Sequence, residues 1–339
     1  MPDWSKIVPT DPLWDAYPPP DNLPPVIIRD PNWPLVSVVT PSYNQAQFIG
    51  ETIASVLGQD YPNIEYWVMD GGSTDETLPI LRAREGDPRF HWLSAKDAGQ
   101  SDAINKGWSR CRGEIVAWLN SDDTYLPGAL RSQVEFLRQY PDIDLVYGDG
   151  IFTDARGHPV ETGYGRPFTI RALLHFTIPQ QPTVFLTRKA MLATGPLDVA
   201  FHHSMDSEYW LRLYTHGFRL AYNPRAIATY RWHDASKTGV SHTRAYEEWQ
   251  KLIERYAPPD ERARALADLH LAVATDTVRS GPIRPAITQA IRGIRIRPTP
   301  RMALFAAALL DRLSGAALYP AMVNSWTKKQ SASRPERER

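Results

Sequence analysis

The sequence predicts an α/β protein: a mostly parallel sheet with helices on both faces, a mixed α+β second half and a helical C-terminal extension. Three observations predict it. β-rich apolar runs alternate with helically spaced segments between residues 35 and 119. Three of those runs end in polar clusters. The texture then changes twice, after Tyr147 and near Ala257. Strands separated by helices of about ten residues build βαβ units, because parallel neighbours need a crossover between them.

The elements follow in order. Residues 1–34 hold ten of the thirty prolines, and proline fixes φ and removes a donor, so this is an extended arm. Its aromatics, Trp4, Trp14, Tyr17 and Trp33, suggest that it packs onto the body. Residues 35–40 read as the first strand and 46–57 as a helix. Residues 64–69 read as the second strand, followed by a helix from near Thr74. Strands at 90–93 and 115–119 flank a helix over 100–110. A hairpin entry lies at 151–157, and alanine- and arginine-rich helical sequence begins at 257. Residues 328–339 are charged and expected to be disordered. The expected divisions are therefore 1–34, 35–150, 151–256 and 257–339.

Composition narrows the function classes. The chain of 339 residues is 42% hydrophobic and 22% charged, as in ordinary globular protein. Lys plus Arg equals Asp plus Glu at 38 each, so overall charge gives no reason to expect nucleic acid as a partner. The single cysteine, Cys111, excludes an internal disulfide and a cysteine-based zinc cluster, and suits a reducing compartment. Met1-Pro2-Asp3-Trp4 lacks the basic and apolar runs of a signal peptide. No stretch reaches the roughly 18 apolar residues of a spanning helix. The expected location is cytoplasmic, either free or lying on the inner face of the membrane.

In open α/β sheets, ligands bind beyond the carboxyl ends of the strands. The first strand is followed there by Thr40-Pro41-Ser42-Tyr43-Asn44, the second by Asp70-Gly71-Gly72-Ser73-Thr74-Asp75, and the fourth by Asn120-Ser121-Asp122-Asp123. Each has a structural alternative: Ser73 to Glu76 fits a helix capping box, and Asp122 and Asp123 could cap the helix starting near Pro127. Repetition along one sheet edge favours a site. Adjacent carboxylates suit a hard divalent cation, which takes one or two of them plus substrate phosphates. Asp70 could accept hydrogen bonds from a base or ribose, and Tyr43 could stack on a base.

The runs at 36–44, 70–75, 97–107, 118–123 and 147–149, in that order, resemble family 2 glycosyltransferases of the bacterial type, whose fold is the Rossmann-like GT-A. The resemblance covers roughly residues 35–240. It implies inverting transfer of a sugar, of the hexosyl type, from a nucleoside diphosphate such as UDP. The implied acceptor is a hydroxyl of a saccharide or lipid-linked molecule, in synthesis of cell wall, polysaccharide, glycolipid or glycoconjugate. The implied cofactor is Mg²⁺ or Mn²⁺. Carried over by residue, Pro41, Tyr43 and Asn44 line the nucleoside pocket and Asp70 bonds the base. Asp97, Gln100 and Asn105 border the donor sugar and diphosphate. Asp123 is the direct metal ligand, with Asp122 nearer the ribose. Asn120 departs from the aspartate of many relatives; an amide is a poorer ligand than a carboxylate, so metal affinity is either lower or rests wholly on the following pair.

The second half supplies the base and the acceptor contacts. In 205–213, positions 206, 210, 213, 214 and 217 share one helical face, made apolar by Trp210, Leu213 and Tyr214. Asp206 at its head is either an N-cap or the catalytic base; Glu208, able to pair with Arg212, is the second candidate. Asp149, Gln181 and Trp210 are candidate acceptor contacts. After a strand, His233 is a candidate third metal ligand, and Lys237 or Arg231 a phosphate contact.

Near the C-terminus, Ile283, Ile287, Ile291 and Ile294 recur at helical spacing, with Pro285 in the first turn. Residues 281–301 contain five arginines and no acid. Such a helix either lies on an anionic membrane, through residues 281–320, or packs on the body with its arginines in water. Two rival functions stand beside the transferase: a sugar nucleotidyltransferase, against which the absence of a glycine-rich phosphate loop over 40–50 argues, and a catalytically degenerate nucleotide-sugar-binding scaffold. The sugar, base, acceptor and oligomeric state are not readable from the sequence.

Overall fold

The computed structural model describes residues 11–174, 179–233, 242–280, 283–314, 319, 320, 322 and 323. The chain divides into two compact units, residues 1–168 with 178–240, and residues 169–177 with 241–339.

The first unit is built on strands β1 (Val36–Ser42), β2 (Ile64–Asp70), β3 (Phe90–Ser94), β4 (Ile115–Trp118), β5 (Thr124–Tyr125), β6 (Leu145–Thr153), β7 (Pro159–Gly163), β8 (Phe185–Thr187) and β9 (Leu220–Arg231). Its helices are α1 (Ile49–Leu57), α2 (Thr77–Arg82), α3 (Gln100–Trp108), α4 (Ala129–Gln139), α6 (Arg188–Thr194) and α7 (Met205–Thr215), while α5 (Ile170–Leu174) belongs to the second unit. The strand order is β3-β2-β1-β4-β8-β6-β9-β5, with β7 on β6. β1, β2, β3 and β4 pair in parallel, as the alternating pattern predicts. β8 runs antiparallel to β4 and β6, and mixes the sheet.

Alternation along β1 distributes its side chains. Val36 and Val38 enter a core with Ile49, Ile53 and Val56 of α1 and Leu130 and Val134 of α4. Val39 points to the other face, where a Cβ on Gly107 of α3 would stand 2.4 Å from its Cγ1. At the amino ends of the strands, Arg112 donates Nε to Glu65 at 2.8 Å and Nη1 to the Pro24 carbonyl at 2.6 Å. The arm is thereby tied down, and Trp14, only 5% exposed, donates its indole N–H to the Leu192 carbonyl.

Several expectations about the elements are corrected. The helix expected from 46 begins at Ile49, because Asn44 is left-handed at φ 53° and a turn carrying the Gln45 carbonyl intervenes. No capping box forms at Ser73 and Glu76: Ser73 Oγ bonds Asp70, and α2 starts only at Thr77. The helix after Pro127 has Gly128 at its N-cap, so Asp122 and Asp123 do not cap it. Residues 150 and 151 lie within β6, which turns into β7 as the hairpin entry expected at 151–157.

The second unit contains α8 (His242–Tyr256), α9 (Pro259–Ser280), α10 (Ile283–Ile296) and α11 (Arg301–Ser314). Leu271, Ala274 and Val278 of α9 meet Ala286 and Ala290 of α10 and Phe305 and Ala308 of α11. Pro285 sits in the first turn of α10, where a missing N–H costs nothing. Among the described residues no helix is long and apolar enough to cross a membrane. The charged stretch 328–339 lies outside the described residues.

Candidate active site

The carboxyl ends of β1, β2 and β3 carry loops that hold one another. Asp70, 2% exposed, accepts from the Gly72 and Ser73 amides and from the hydroxyls of Ser73 and Ser94. Asn44 donates its amide to Ser73 Oγ at 2.8 Å and accepts the Thr74 amide at 2.8 Å. Two glycines are required here. Gly72 is at φ 86°, and a Cβ on Gly71 would stand 2.7 Å from the Asp97 carboxylate. Pro41 is buried at the end of β1, whereas the Tyr43 ring is 58% exposed above this rim and open to stacking.

Beyond β4 lies the acidic pair. Asp123 is 2% exposed; its Oδ1 accepts the Arg231 amide at 2.9 Å, and Asn120 lies 3.4 Å from Oδ2. Burial, and then the charge of Asp122, push its carboxyl well above the usual carboxylate range. Asp122 Oδ2 stands 3.0 Å from His233 Nε2. Asp123, expected as the direct metal ligand, turns Oδ1 onto the end of β9, and Asp122, expected nearer the ribose, faces the histidine. The His233 ring packs on Phe48 at 4.7 Å. Arg231, expected as a phosphate contact, is instead interior bracing, with bonds to the Asp122 and Ala155 carbonyls and to Glu51.

A divalent cation fits this donor set. Asp122 and His233, 3.0 Å apart, would offer one oxygen and one nitrogen ligand to such an ion. Among the described residues no group of three or more His, Cys, Asp or Glu side chains is arranged to hold a metal. The remaining ligands would then come from substrate oxygens and water.

Helix α3 connects the acidic pair to the candidate base. Gln100 Nε2 donates to Asn120 Oδ1 at 2.7 Å, and Ser101 Oγ lies 3.0 Å from Met205 Sδ at the start of α7. Asp206 is the second residue of α7, after the N-cap Ser204, and its Oδ1 accepts the Ser207 amide at 2.7 Å. Glu208 is held differently. It is 1% exposed and receives Arg212 Nε and Nη2 at 3.1 and 2.9 Å, as their spacing predicts. Arg212 also donates to the Thr194 and Pro196 carbonyls. The helical face is also corrected. Tyr214 is 40% exposed, and Gly217 lies beyond the helix.

Two further candidates are buried. Asn105, expected to border the donor, is fully buried and clamps Leu197 through both its side-chain N–H and C=O. Trp210 has no exposed surface and stacks on Trp118 at 5.1 Å, which places it behind the acidic loop. Gln181 is buried beside it; its Nε2 donates to the Trp118 carbonyl, and its Oε1 finds no partner among the described residues. Asp149 Oδ1 accepts the Gly165 amide and the Tyr222 hydroxyl. Lys237 lies outside the described residues. Thr52 and Phe48 carry no signal in the sequence that would single them out. Thr52 Oγ1 lies 2.9 Å from both the Ser121 and the Asp123 carbonyls, a tie that spans about seventy residues and leaves no local pattern.

Known proteins resemble the chain in both sequence and fold. Residues 37–192 match the family described as Glycosyl transferase family 2. The putative teichuronic acid biosynthesis glycosyltransferase TuaG of Bacillus subtilis is 34% identical over 210 residues, covering 59% of this chain and 80% of that protein. The chondroitin synthase of Escherichia coli is 29% identical over 196 residues, covering 56% of this chain but only 29% of the synthase. Among solved structures, S. aureus TarS 1-349 in complex with UDP-GlcNAc aligns at a TM-score of 0.55 and 16% identity, over 83% of this chain and 92% of that one. The mannosyltransferase PcManGT of Pyrobaculum calidifontis, in complex with GDP-Man and Mn²⁺, aligns at 0.58 and 22%, over 91% and 87%. The fold is therefore GT-A, and the chain belongs to glycosyl transferase family 2.

Proposed function

We propose that the chain moves a hexosyl group from a nucleoside diphosphate to a hydroxyl of a saccharide or lipid-linked acceptor, with inversion at the anomeric carbon and a divalent cation assisting. The observation that carries this reading is the Asp122–His233 pair beside buried Asp123, at the carboxyl edge of the sheet. The relatives named for teichuronic acid and chondroitin synthesis support a polysaccharide or other glycoconjugate as product. The neighbours holding UDP-GlcNAc and GDP-Man support a nucleotide-sugar donor, UDP-linked in our reading. A cytoplasmic site of action suits the buried, free Cys111.

Asp122 and His233 would hold Mg²⁺ or Mn²⁺, which neutralises charge as the diphosphate departs. Tyr43 offers a ring to the base, and the Asp70 network keeps the nucleoside loop in shape before the donor arrives. Asp206 takes the proton of the acceptor hydroxyl while that oxygen attacks the anomeric carbon and the bond to the diphosphate breaks on the opposite face. In this reading the acidic residues at Asp122 and Asp206 distinguish a transferase from a degenerate scaffold.

The test is donor hydrolysis and transfer with Mg²⁺ or Mn²⁺ and with excess chelator, beside calorimetric titration of UDP and GDP in Mn²⁺. Turnover should be lost in chelator. Asp122→Asn should weaken Mn²⁺-dependent nucleotide binding by about 10–100-fold or more, the scale on which even outer partners of metal ligands act. Asp123→Asn should weaken it less. Full activity in chelator would remove the metal from the reading.

A further inference from the structure

Helix α10 has a packing pattern that the isoleucine spacing alone does not suggest. Its buried edge is Ala286, Ala290 and Gly293. The reason is close approach: a Cβ on Gly293 would stand 2.8 Å from the Ala267 carbonyl of α9. Only small side chains fit against α9, so the large ones remain outside. Ile287, Ile291 and Ile294, at i, i+4 and i+7 on one face, are 39%, 44% and 37% exposed. Next to them around the helix come Arg284, Arg295 and Arg292, all exposed. Among the described residues none of these arginines forms an ion pair. Helix α11 repeats the arrangement with Leu310 and Leu313, 51% and 66% exposed. Exposed Ala303 and Ala306 share that face of α11.

Scattered exposed aliphatics are ordinary, whereas an isoleucine stripe along one helix face, flanked by arginines, marks a surface that something covers. The charge selects the occupant. Residues 281–301 contain five arginines and no acid, although the whole chain is neutral. A second copy docked face to face would bring arginine against arginine. A nucleic acid would use the arginines but leave the isoleucines in water. A phospholipid surface uses both, since acyl chains receive the isoleucines and anionic headgroups meet the guanidiniums.

We propose that α10, supported by α11, docks the second unit on an anionic phospholipid surface, lying in the plane of the interface. The helix is too short to cross: at about 1.5 Å per residue its 14 residues span roughly 21 Å. Each arginine near such a surface strengthens binding about fivefold, so the attraction is additive and salt-sensitive.

The experiment is vesicle flotation of the full chain, with phosphatidylcholine vesicles and with vesicles carrying about 30% phosphatidylglycerol, at low salt and at about 0.5 M salt. The wild type should float with the anionic vesicles at low salt and lose most of that binding in high salt or on neutral vesicles. The triple variant Ile287→Ser, Ile291→Ser, Ile294→Ser changes only exposed side chains, so its fold should persist, as circular dichroism would show. It should bind at least tenfold more weakly. Arg284→Gln, Arg292→Gln and Arg295→Gln together should abolish the preference for anionic lipid. Wild-type protein remaining with the unbound fraction at low salt overturns the proposal. So does undiminished flotation of the isoleucine variant, and so does a dimer in light scattering that the isoleucine variant alone converts to monomer without any lipid binding. None of these readouts depends on turnover, so their failure is separable from failure of the transferase reading.

Discussion

Asp206 and Glu208 sit two residues apart at the head of one helix, and their surroundings separate them. Glu208 is sealed in a bidentate pair with Arg212, whose remaining donors hold two backbone carbonyls. A carboxylate so placed is committed to the fold, and its removal would strand a buried guanidinium. Asp206 accepts the amide of the residue that follows it, at a helix start adjacent to α3. Asp206→Asn keeps the shape and removes the proton acceptor. It should leave UDP binding in Mn²⁺ within error and lower transfer by about 10²–10⁴-fold, the usual scale for a general base. Retained transfer would reassign the base. Residue identities at the site were legible because they stand in short ordered runs. What those side chains do was less legible, since their partners are distant: Asn105 meets Leu197, and Asp123 meets Arg231, across about a hundred residues.

Among the elements, the parallel core was readable from its apolar period, whereas helix starts were not. Period reports burial, but the first turn is decided by local competition for backbone donors, here by Asn44, Ser73 and Asp75. The antiparallel insertion of β8 between β4 and β6 was also hidden, because β8 is only three residues long and pairs with strands remote in sequence. Glycine in α3 shows how packing overrides propensity. Gly107→Ala favours helix by about 1 kcal/mol on intrinsic scales. In this site the new methyl would lie 2.4 and 2.9 Å from the Val39 methyls and 3.1 Å from Met69. Valine has no flexible end to move aside, so strain of about 1–3 kcal/mol should exceed the gain. A lower urea midpoint with an unchanged slope would show it; an equal or higher midpoint would mean that β1 and α3 separate more easily than their contacts imply.

At the scale of the whole molecule, a cation held as proposed by only two side chains would couple its binding to that of the donor. If Asp122 and His233 alone hold the cation, as proposed, Mn²⁺ by itself should bind weakly and hardly change the melting temperature. A nucleoside diphosphate alone would place its charge beside Asp122, and should also bind weakly. Together they complete the coordination shell, and linkage requires each to raise the affinity of the other by the same factor. Ligand at a hundred times its dissociation constant stabilises the folded state by about 2.7 kcal/mol, which for a unit of this size corresponds to roughly 5–10 °C. The expected result of a thermal-shift matrix is therefore non-additive: small shifts with Mn²⁺ or UDP singly, and a shift of that order with both. His233→Ala should lower the melting temperature without ligand, since the ring is buried against Phe48, and should reduce the combined shift, measured from that new baseline, towards the sum of the single ones. Additive shifts, or the full shift with Mn²⁺ alone, would mean that the chain holds the ion without help from the donor, and the two-ligand arrangement would have to be abandoned.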